Sequence, residues 1–478
     1  LVLNPTDTLA PTSTLAVLST DIPVVTEPTP LRGTVQDENL VSYEVFVSPK
    51  DQNQWNRIAL GHENVIDGEL AVFDPTMLWN GLYDVVVRAT DVNGQSTQDG
   101  MTVMVDGDLK VGHYAVTFED ARIDLAGIPV RVMRTYDTRR SAEKLDFGYG
   151  WSVDYQNVRV QESRTLGFSW DLNYHRYGFF GTYCVEPNGS PLVTIMLPDG
   201  HFEKFKAMAN PECTSLTATI DVTLQFQALP GTYSTLEQLD TGLLRLANGN
   251  LVELTDVDSA ANGVDIDNYK LTTKDGVVYY LNQRFGIRRI EMPDGQYITY
   301  SDQGIVHSQG YAVTFDRDAQ GRIVAVILPD GRRMEYQYTS EGDLGQVTNF
   351  SGDKTDFNYL ARIPHYLDEI VDPQGVSATR MEYDDAGHLS ALIDADGNRV
   401  EYAHDLAGRT SIVSDARGND TVYVYDERGR VLAETNALGE TITRTYNEVG
   451  DVLSETNGLG ETRSWTYDDR LTMCVPAS

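Results

Sequence analysis

The sequence predicts an all-β protein: a β-sandwich followed by a long sheet of stacked β-hairpins. Three observations carry this. Seven short alternating apolar runs, cut by turn residues, fall within residues 14–107. The C-terminal hundred residues repeat with a period of 21, two glycines to each period. And 26 Tyr and 14 Phe stand beside 40 Gly in 478 residues, a composition of strands and turns.

Taken in order, residues 1–13 are rich in Pro and Thr, lack an apolar period, and read as a linker. The runs of the sandwich, over 14–107, are Leu15–Leu18, Leu31–Val35, Val41–Val47, Trp55–Leu60, Glu69–Phe73, Tyr83–Ala89 and Met101–Val105. Asp37-Glu38-Asn39, Asp51-Gln52-Asn53 and Asn93-Gly94 mark turns between them. Residues 108–190 differ: Val130, Val132, Arg134 and Tyr136 alternate as a strand, and Phe147-Gly148-Tyr149-Gly150-Trp151 reads as a tight turn packed on rings. From 191 to 378 one turn recurs, as Leu197-Pro198-Asp199-Gly200, Met292-Pro293-Asp294-Gly295 and Leu328-Pro329-Asp330-Gly331, each leading into aromatic residues. These are degenerate hairpins, so one sheet is expected from about 190 to 470. Residues 379–470 hold the regular repeat, and 471–478 read as a tail. Cys184 and Cys213 could pair or stay as thiols; Cys474 lies in the tail. A chain that begins at Leu1 reads as a fragment or a processed form.

The repeat has a physical reading. The positions expected to hold it together are Tyr383, Asp384, Gly387, Tyr402, Asp405, Gly408, Tyr425, Asp426, Gly429, Tyr446, Asn447, Gly450, Tyr467 and Asp468, with His404 in the ring column of its unit. A second glycine column follows at Gly397, Gly418, Gly439 and Gly460. Each Asp-x-x-Gly is a turn: Gly supplies positive φ and the acid accepts from nearby amides. Each period is then one hairpin, too small to stand alone, so the units must stack into a sheet that twists and curls. The rings before each acid are expected to face the sets Leu389/Ala391/Ile393, Val431/Ala433/Thr435 and Val452/Ser454/Thr456.

The units Tyr425-Asp426-Glu427-Arg428-Gly429-Arg430 and Tyr383-Asp384-Asp385-Ala386-Gly387-His388 resemble YD repeats. The block from Gly127 to Tyr136, with Phe147 to Trp151, resembles the lead-in segment of Rhs-type proteins. The resemblance spans about 108–470 and implies a hollow, spiralling β-shell, as in Rhs proteins, Tc-toxin cocoons and teneurins. The run Tyr83 to Gly94 resembles the late hairpin of bacterial Ig-like and fibronectin III-like modules. The Rhs core-cleavage signature, Pro-x4-Asp-Pro-x-Gly-Leu, is not matched. Its nearest likeness, Val371-Asp372-Pro373-Gln374-Gly375-Val376, has Leu367 for the first Pro and Val376 for the last Leu, and reads as an inter-strand turn.

Chemistry is sparse in the sequence. The net charge of −34 argues against nucleic acid and anionic membrane as partners, and only 8 of the 37 basic residues are Lys. The longest apolar runs, such as Ile323 to Leu328, fall far short of a spanning helix, so no membrane insertion is expected in this segment. The eight His show no metal or catalytic spacing, and no Gly-x-Ser-x-Gly elbow occurs. Acid pairs such as Asp384-Asp385 and Asp468-Asp469 occupy turns; calcium is the one cofactor they suggest, without an EF-hand or Gly-Gly-x-Gly-x-Asp array to support it. The expected role is therefore non-enzymatic: an extracellular or cell-surface bacterial scaffold for adhesion or recognition, its partner a protein or glycan on another surface. The alternative is an Rhs/Tc-type shell that encloses and delivers a polypeptide toxin cargo. A glycan-active enzyme is the third reading.

Overall fold

The computed structural model describes residues 8–19, 21–125, 127–178, 180–198, 200–214, 220–255, 263–467 and 473–474. Among them there is no α-helix; the only helical turns are short 3-10 segments at Thr138–Arg140 and Asp154–Gln156.

The N-terminal module is a sandwich of eight strands: β1 Thr12–Leu15, β2 Val24–Val25, β3 Thr29–Gln36, β4 Leu40–Pro49, β5 Asn56–Gly61, β6 Val65–Phe73, β7 Gly81–Asp91 and β8 Ser96–Val105. One sheet runs β1-β3-β6, the other β2-β8-β7-β4-β5. Alternation along β3, β4, β7 and β8 turns Leu31, Val35, Val45, Val85, Val87, Val103 and Val105 into one dry core. The first strand lies earlier than the apolar run Leu15–Leu18 suggests and takes in the end of the expected linker. Thr12 and Thr14 are β-branched, and Thr12–Leu15 pairs with Gly33–Gln36, while Leu15 N–H donates to Asp99 at 2.7 Å.

The lead-in segment forms a three-stranded sheet from Ala115–Ile123, Val130–Asp137 and Trp151–Val153. A six-stranded sheet follows, from Arg159–Glu162 to Asn250–Glu253. A hairpin arm, Trp170–Tyr177 with Phe180–Pro187, leaves it and is joined to Cys213–Thr214 by the Cys184–Cys213 disulfide. The remaining strands build one 21-stranded antiparallel sheet, opened by Thr235–Gln238 and running from Asn268–Thr272 to Thr462–Ser464. Continuous pairing thus begins near 235, not near 190: residues 192–253 mostly close the separate six-stranded sheet. Met473–Cys474, in the expected tail, pairs with Thr466–Tyr467.

The second core lies between the lead-in segment and one face of the long sheet. At its centre the Arg134 side chain is only 2% exposed. Its guanidinium sits 4.7 Å from the Phe118 and Trp151 rings and 5.4 Å from Phe357. Asp120 receives its Nε and Nη2 at 2.7 and 3.0 Å and also accepts the Tyr336 hydroxyl at 2.8 Å. A cation this deep persists because both the carboxylate and the ring faces compensate it. Trp151, fully buried, donates Nε1–H to Tyr359 at 2.8 Å, and Tyr136 donates its hydroxyl to the His365 carbonyl. Rings of the lead-in segment and rings of the sheet therefore form one contiguous packing.

Candidate functional surface: the repeat sheet

The turn chemistry is uniform except in the unit at His404. Asp384 Oδ1 accepts the amides of Ala386 and His388 at 2.9 and 2.8 Å; Asp426 accepts those of Arg428 and Arg430, and Asn447 those of Val449 and Asp451. The second column repeats this at Asp394, Asp415, Asn436 and Asn457. Gly387, Gly429 and Gly450 take φ of +89°, +83° and +104°. Side-chain donation from Asn398 and Asn419, then the backbone amides, hold the Asp394 and Asp415 carboxyls below their ordinary range. One oxygen of each of these acids is already committed to the turn. Asp372 forms the same turn, accepting from Gln374 and Val376. Asp468 and Asp469 lie outside the described residues, as does Asp199 of the Leu197–Gly200 turn.

A second regularity was not legible in the sequence. Just before Arg317, Tyr338, Tyr359, Tyr383, Tyr425 and Tyr446 the pairing slips by one residue, a β-bulge in each hairpin. The slip moves the following strand onto the other face. Val431 stays opposite Tyr425, but Ala433 and Thr435 lie opposite Val424 and Val422. The expected pairing of each ring with a whole alternating set is corrected accordingly; only Leu389, Val431 and Val452 share the ring face.

The bulge also creates a ladder. Tyr359 donates its hydroxyl to the Leu344 carbonyl, Tyr383 to Leu367, Tyr446 to Val431 and Tyr467 to Val452, at 2.8 to 3.0 Å. Tyr338 reaches Ile323 in the same way at 2.5 Å. Each acceptor is the residue set across the bulge in the preceding hairpin. The repeat tyrosine is thus a stitch: one bond ties each unit to the one before.

The unit at His404 breaks the ladder. Its hairpin pairs without a slip, and His404 Nδ1 lies 3.0 Å from Ser411 Oγ. Gly408 is absent from the positive-φ residues; Arg409 takes φ +50° in its place. Among the described residues Asp405 accepts only the Gly408 amide, at 2.9 Å. The next ring, Tyr425, finds no bulge carbonyl and is satisfied by Ser411 instead. The altered turn directs Arg409 at Glu27 of the sandwich, with Nη2 at 2.8 Å and Nε at 3.0 Å. Nearby, Asp108 N–H donates to the Arg428 carbonyl at 2.7 Å, and Asp106 accepts from Lys204 at 2.6 Å. The departure from the pattern sits where the repeats meet the N-terminal module.

The ring face itself changes along the sheet. Met381 and Tyr383 are 0% and 7% exposed, under the lead-in segment. Among the described residues after Ala391, no apolar side chain is fully buried, so Tyr402, Tyr423, Tyr425 and Tyr446 are half-buried. The two ends of the sheet come together. A Cβ on Gly231 would stand 3.8 Å from the Val449 carbonyl oxygen. The Tyr233 phenol is pushed up by burial and then by the charge of Asp451, with Tyr467 also acting on it. Tyr233 leads into the first strand of the sheet, and Asp451 into the next-to-last.

Three side chains elsewhere have ligand character. His175, Cys184 and Glu186 lie within 4.8 Å of one another, but the Cys184 sulfur is in the disulfide, and His175 Nε2 pairs with Glu186 at 2.7 Å.

The chain matches the RHS Repeat family over residues 383–419 and 404–441. No curated protein matches it. Among solved structures it is similar to the Tc holotoxin pore of Photorhabdus luminescens, at 12% identity and a TM-score of 0.29, covering 93% of this chain and 22% of that one. A second, the TcdB2–TccC3 complex, aligns at 12% identity and a TM-score of 0.26, over 80% of this chain and 23% of that one. The chain therefore spans less than a quarter of the length of these solved chains. The Asp384 and Asp426 turns both fall within the matched residues: over 383–441 the chain carries the RHS repeat.

Proposed function

We propose that the chain is part of the wall of an Rhs-type shell that encloses a polypeptide cargo. The observation that supports this best is the approach of the sheet's two ends, Gly231 and Tyr233 beside Val449 and Asp451. A sheet that turns back on itself bounds a space, and further repeats extend the wall rather than widen it. The role is structural, without catalysis by the repeat. The Cys184–Cys213 disulfide fits an oxidising compartment and hence secretion or surface display by a bacterium. The sandwich, with its Ig-like hairpin, would clamp the wall through Glu27 and Asp106. The test is protease protection of the intact parent protein. A fragment that resists digestion until the sheet is unfolded supports enclosure; complete digestion of everything outside the sheet contradicts it.

Adhesion keeps one supporting observation. β5 is an open edge of the five-stranded sheet, with Ile58 and Leu60 40% and 48% exposed and Trp55 beside them at 43%. Binding of the isolated protein to cells or glycans that is lost on Leu60→Lys would favour that reading.

A further inference from the structure

We infer that the arm Trp170–Tyr177/Phe180–Pro187 is a membrane-interface anchor whose tip seats in the headgroup layer of a zwitterionic bilayer. The arm has a rigid root: Trp170 is 1% exposed and donates Nε1–H to the Leu166 carbonyl, and Cys184 is bonded to Cys213. Its tip is the opposite. Tyr174, Tyr177 and Phe180 are 54%, 69% and 83% exposed. Tyr177 pairs with Phe180 at the end of the ladder, and Tyr174 with Tyr183. Strand alternation places Tyr174 on one face of the hairpin and Tyr177 on the other. A flat protein surface covers one face of such a tip, whereas a lipid layer surrounds it on all sides.

The local charge fits the same occupant. Residues 172–185 contain no Asp or Glu, in a chain with 71 acidic residues among 478. Arg176, exposed beside the rings, donates Nε–H to the Gly178 carbonyl; among the described residues its Nη groups have no hydrogen-bond partner, and they can meet a lipid phosphate. Tyr rings with one polar end belong at the interfacial depth. The depth is limited, because the outer backbone groups of a two-stranded tip need water or headgroups as partners. No helix among the described residues is long and apolar enough to cross a membrane, and the arm anchors without crossing. The net charge of −34 repels anionic surfaces, which selects zwitterionic lipid.

The test is flotation of the intact chain with phosphatidylcholine vesicles. The wild type is expected to float. Tyr177→Ser with Phe180→Ser, at an unchanged melting temperature, should lower the bound fraction at least about tenfold. Phosphatidylglycerol mixed into the vesicles should weaken binding. A wild type that stays with the soluble fraction overturns the inference and leaves the rings as a protein-docking element; a double variant that floats as well as the wild type also overturns it. Should the double variant fail to fold, Phe180→Trp decides: added fluorescence quenching by brominated phosphatidylcholine is expected, and its absence overturns the anchor.

Discussion

The long sheet has two regions built from the same hairpin and stabilised differently. From 268 to 378 the sequence is degenerate and the ring face is buried under the lead-in segment, a cover that extends over the first regular unit as far as Leu389. From 399 to 464 the sequence is regular and the same face is half-exposed. The difference teaches that regularity records repetition of environment, not depth of core. A unit that meets only its neighbours can keep one sequence. A unit that meets Arg134, Trp151 or Tyr136 must fit that particular residue, and its repeat signature erodes.

The largest effect should come from breaking the buried region at its centre. Arg134→Ala removes the cation from Asp120 and empties the ring box, and should cost about 3–5 kcal/mol in urea unfolding. Arg134→Met, which fills the box but still strands Asp120, should recover only part of that. Tyr383→Ala, at the edge of the buried face, should cost about 3–4 kcal/mol through cavity and lost stitch together. Tyr425→Ala tests the other side of the comparison: half-buried and outside the ladder, it should cost about 1–2 kcal/mol. Equal losses for the two tyrosines would erase the distinction between the regions.

The regions should also differ in their response to pH. Glu162 accepts the Tyr269 hydroxyl at the start of the buried region. Burial pushes its carboxyl up to about 8 from 4.5, with the charge of Asp265 adding to the rise and the Tyr269 hydrogen bond opposing it. Its folded state holds the proton more tightly than the unfolded state, so this contribution is complete below about 4.5 and is lost as pH rises through about 8. Asp394 and Asp415 lie below 3.8, so their contribution is present above 3.8 and lost only on acidification. Glu162→Gln should flatten the stability profile between pH 5 and 8 and leave the acid limb unchanged; thermal melts across that range will show it. The smallest effect is Tyr446→Phe, which removes one stitch and nothing else, and should cost about 0.5–1.5 kcal/mol.

How much was legible follows from which features leave a residue signature. Asp-x-x-Gly turns do, because positive φ and a short acceptor restrict the choice of residue, and so the hairpins of 379–467 were readable. Bulges do not: the skipped residues Val324, Gly345, Asp368, Ser390, Leu432 and Leu453 share no chemistry, so the face of Ala433 and Thr435 was misread. Arg134 shares the alternating face of Val130, Val132 and Tyr136, but the rings that box it, Phe118, Trp151 and Phe357, come from separate stretches that no local pattern joins. The pairing of Cys184 with Cys213 depended on a register, Cys184 opposite Cys213, that short irregular strands conceal. At His404 the departure from the ring column was visible, but Gly408 keeps its column, and the altered turn that sends Arg409 to Glu27 required the sandwich to be placed.

The central claim is that the sheet returns on itself, and a distance between its ends tests that directly. With Cys474→Ser as background, dyes placed at Tyr233→Cys and Asp451→Cys report that distance by energy transfer. The account predicts near-complete transfer, from dyes within about 20 Å. An uncurled sheet would separate its first and next-to-last strands by about 90 Å at ordinary inter-strand spacing, and transfer near zero would contradict the account.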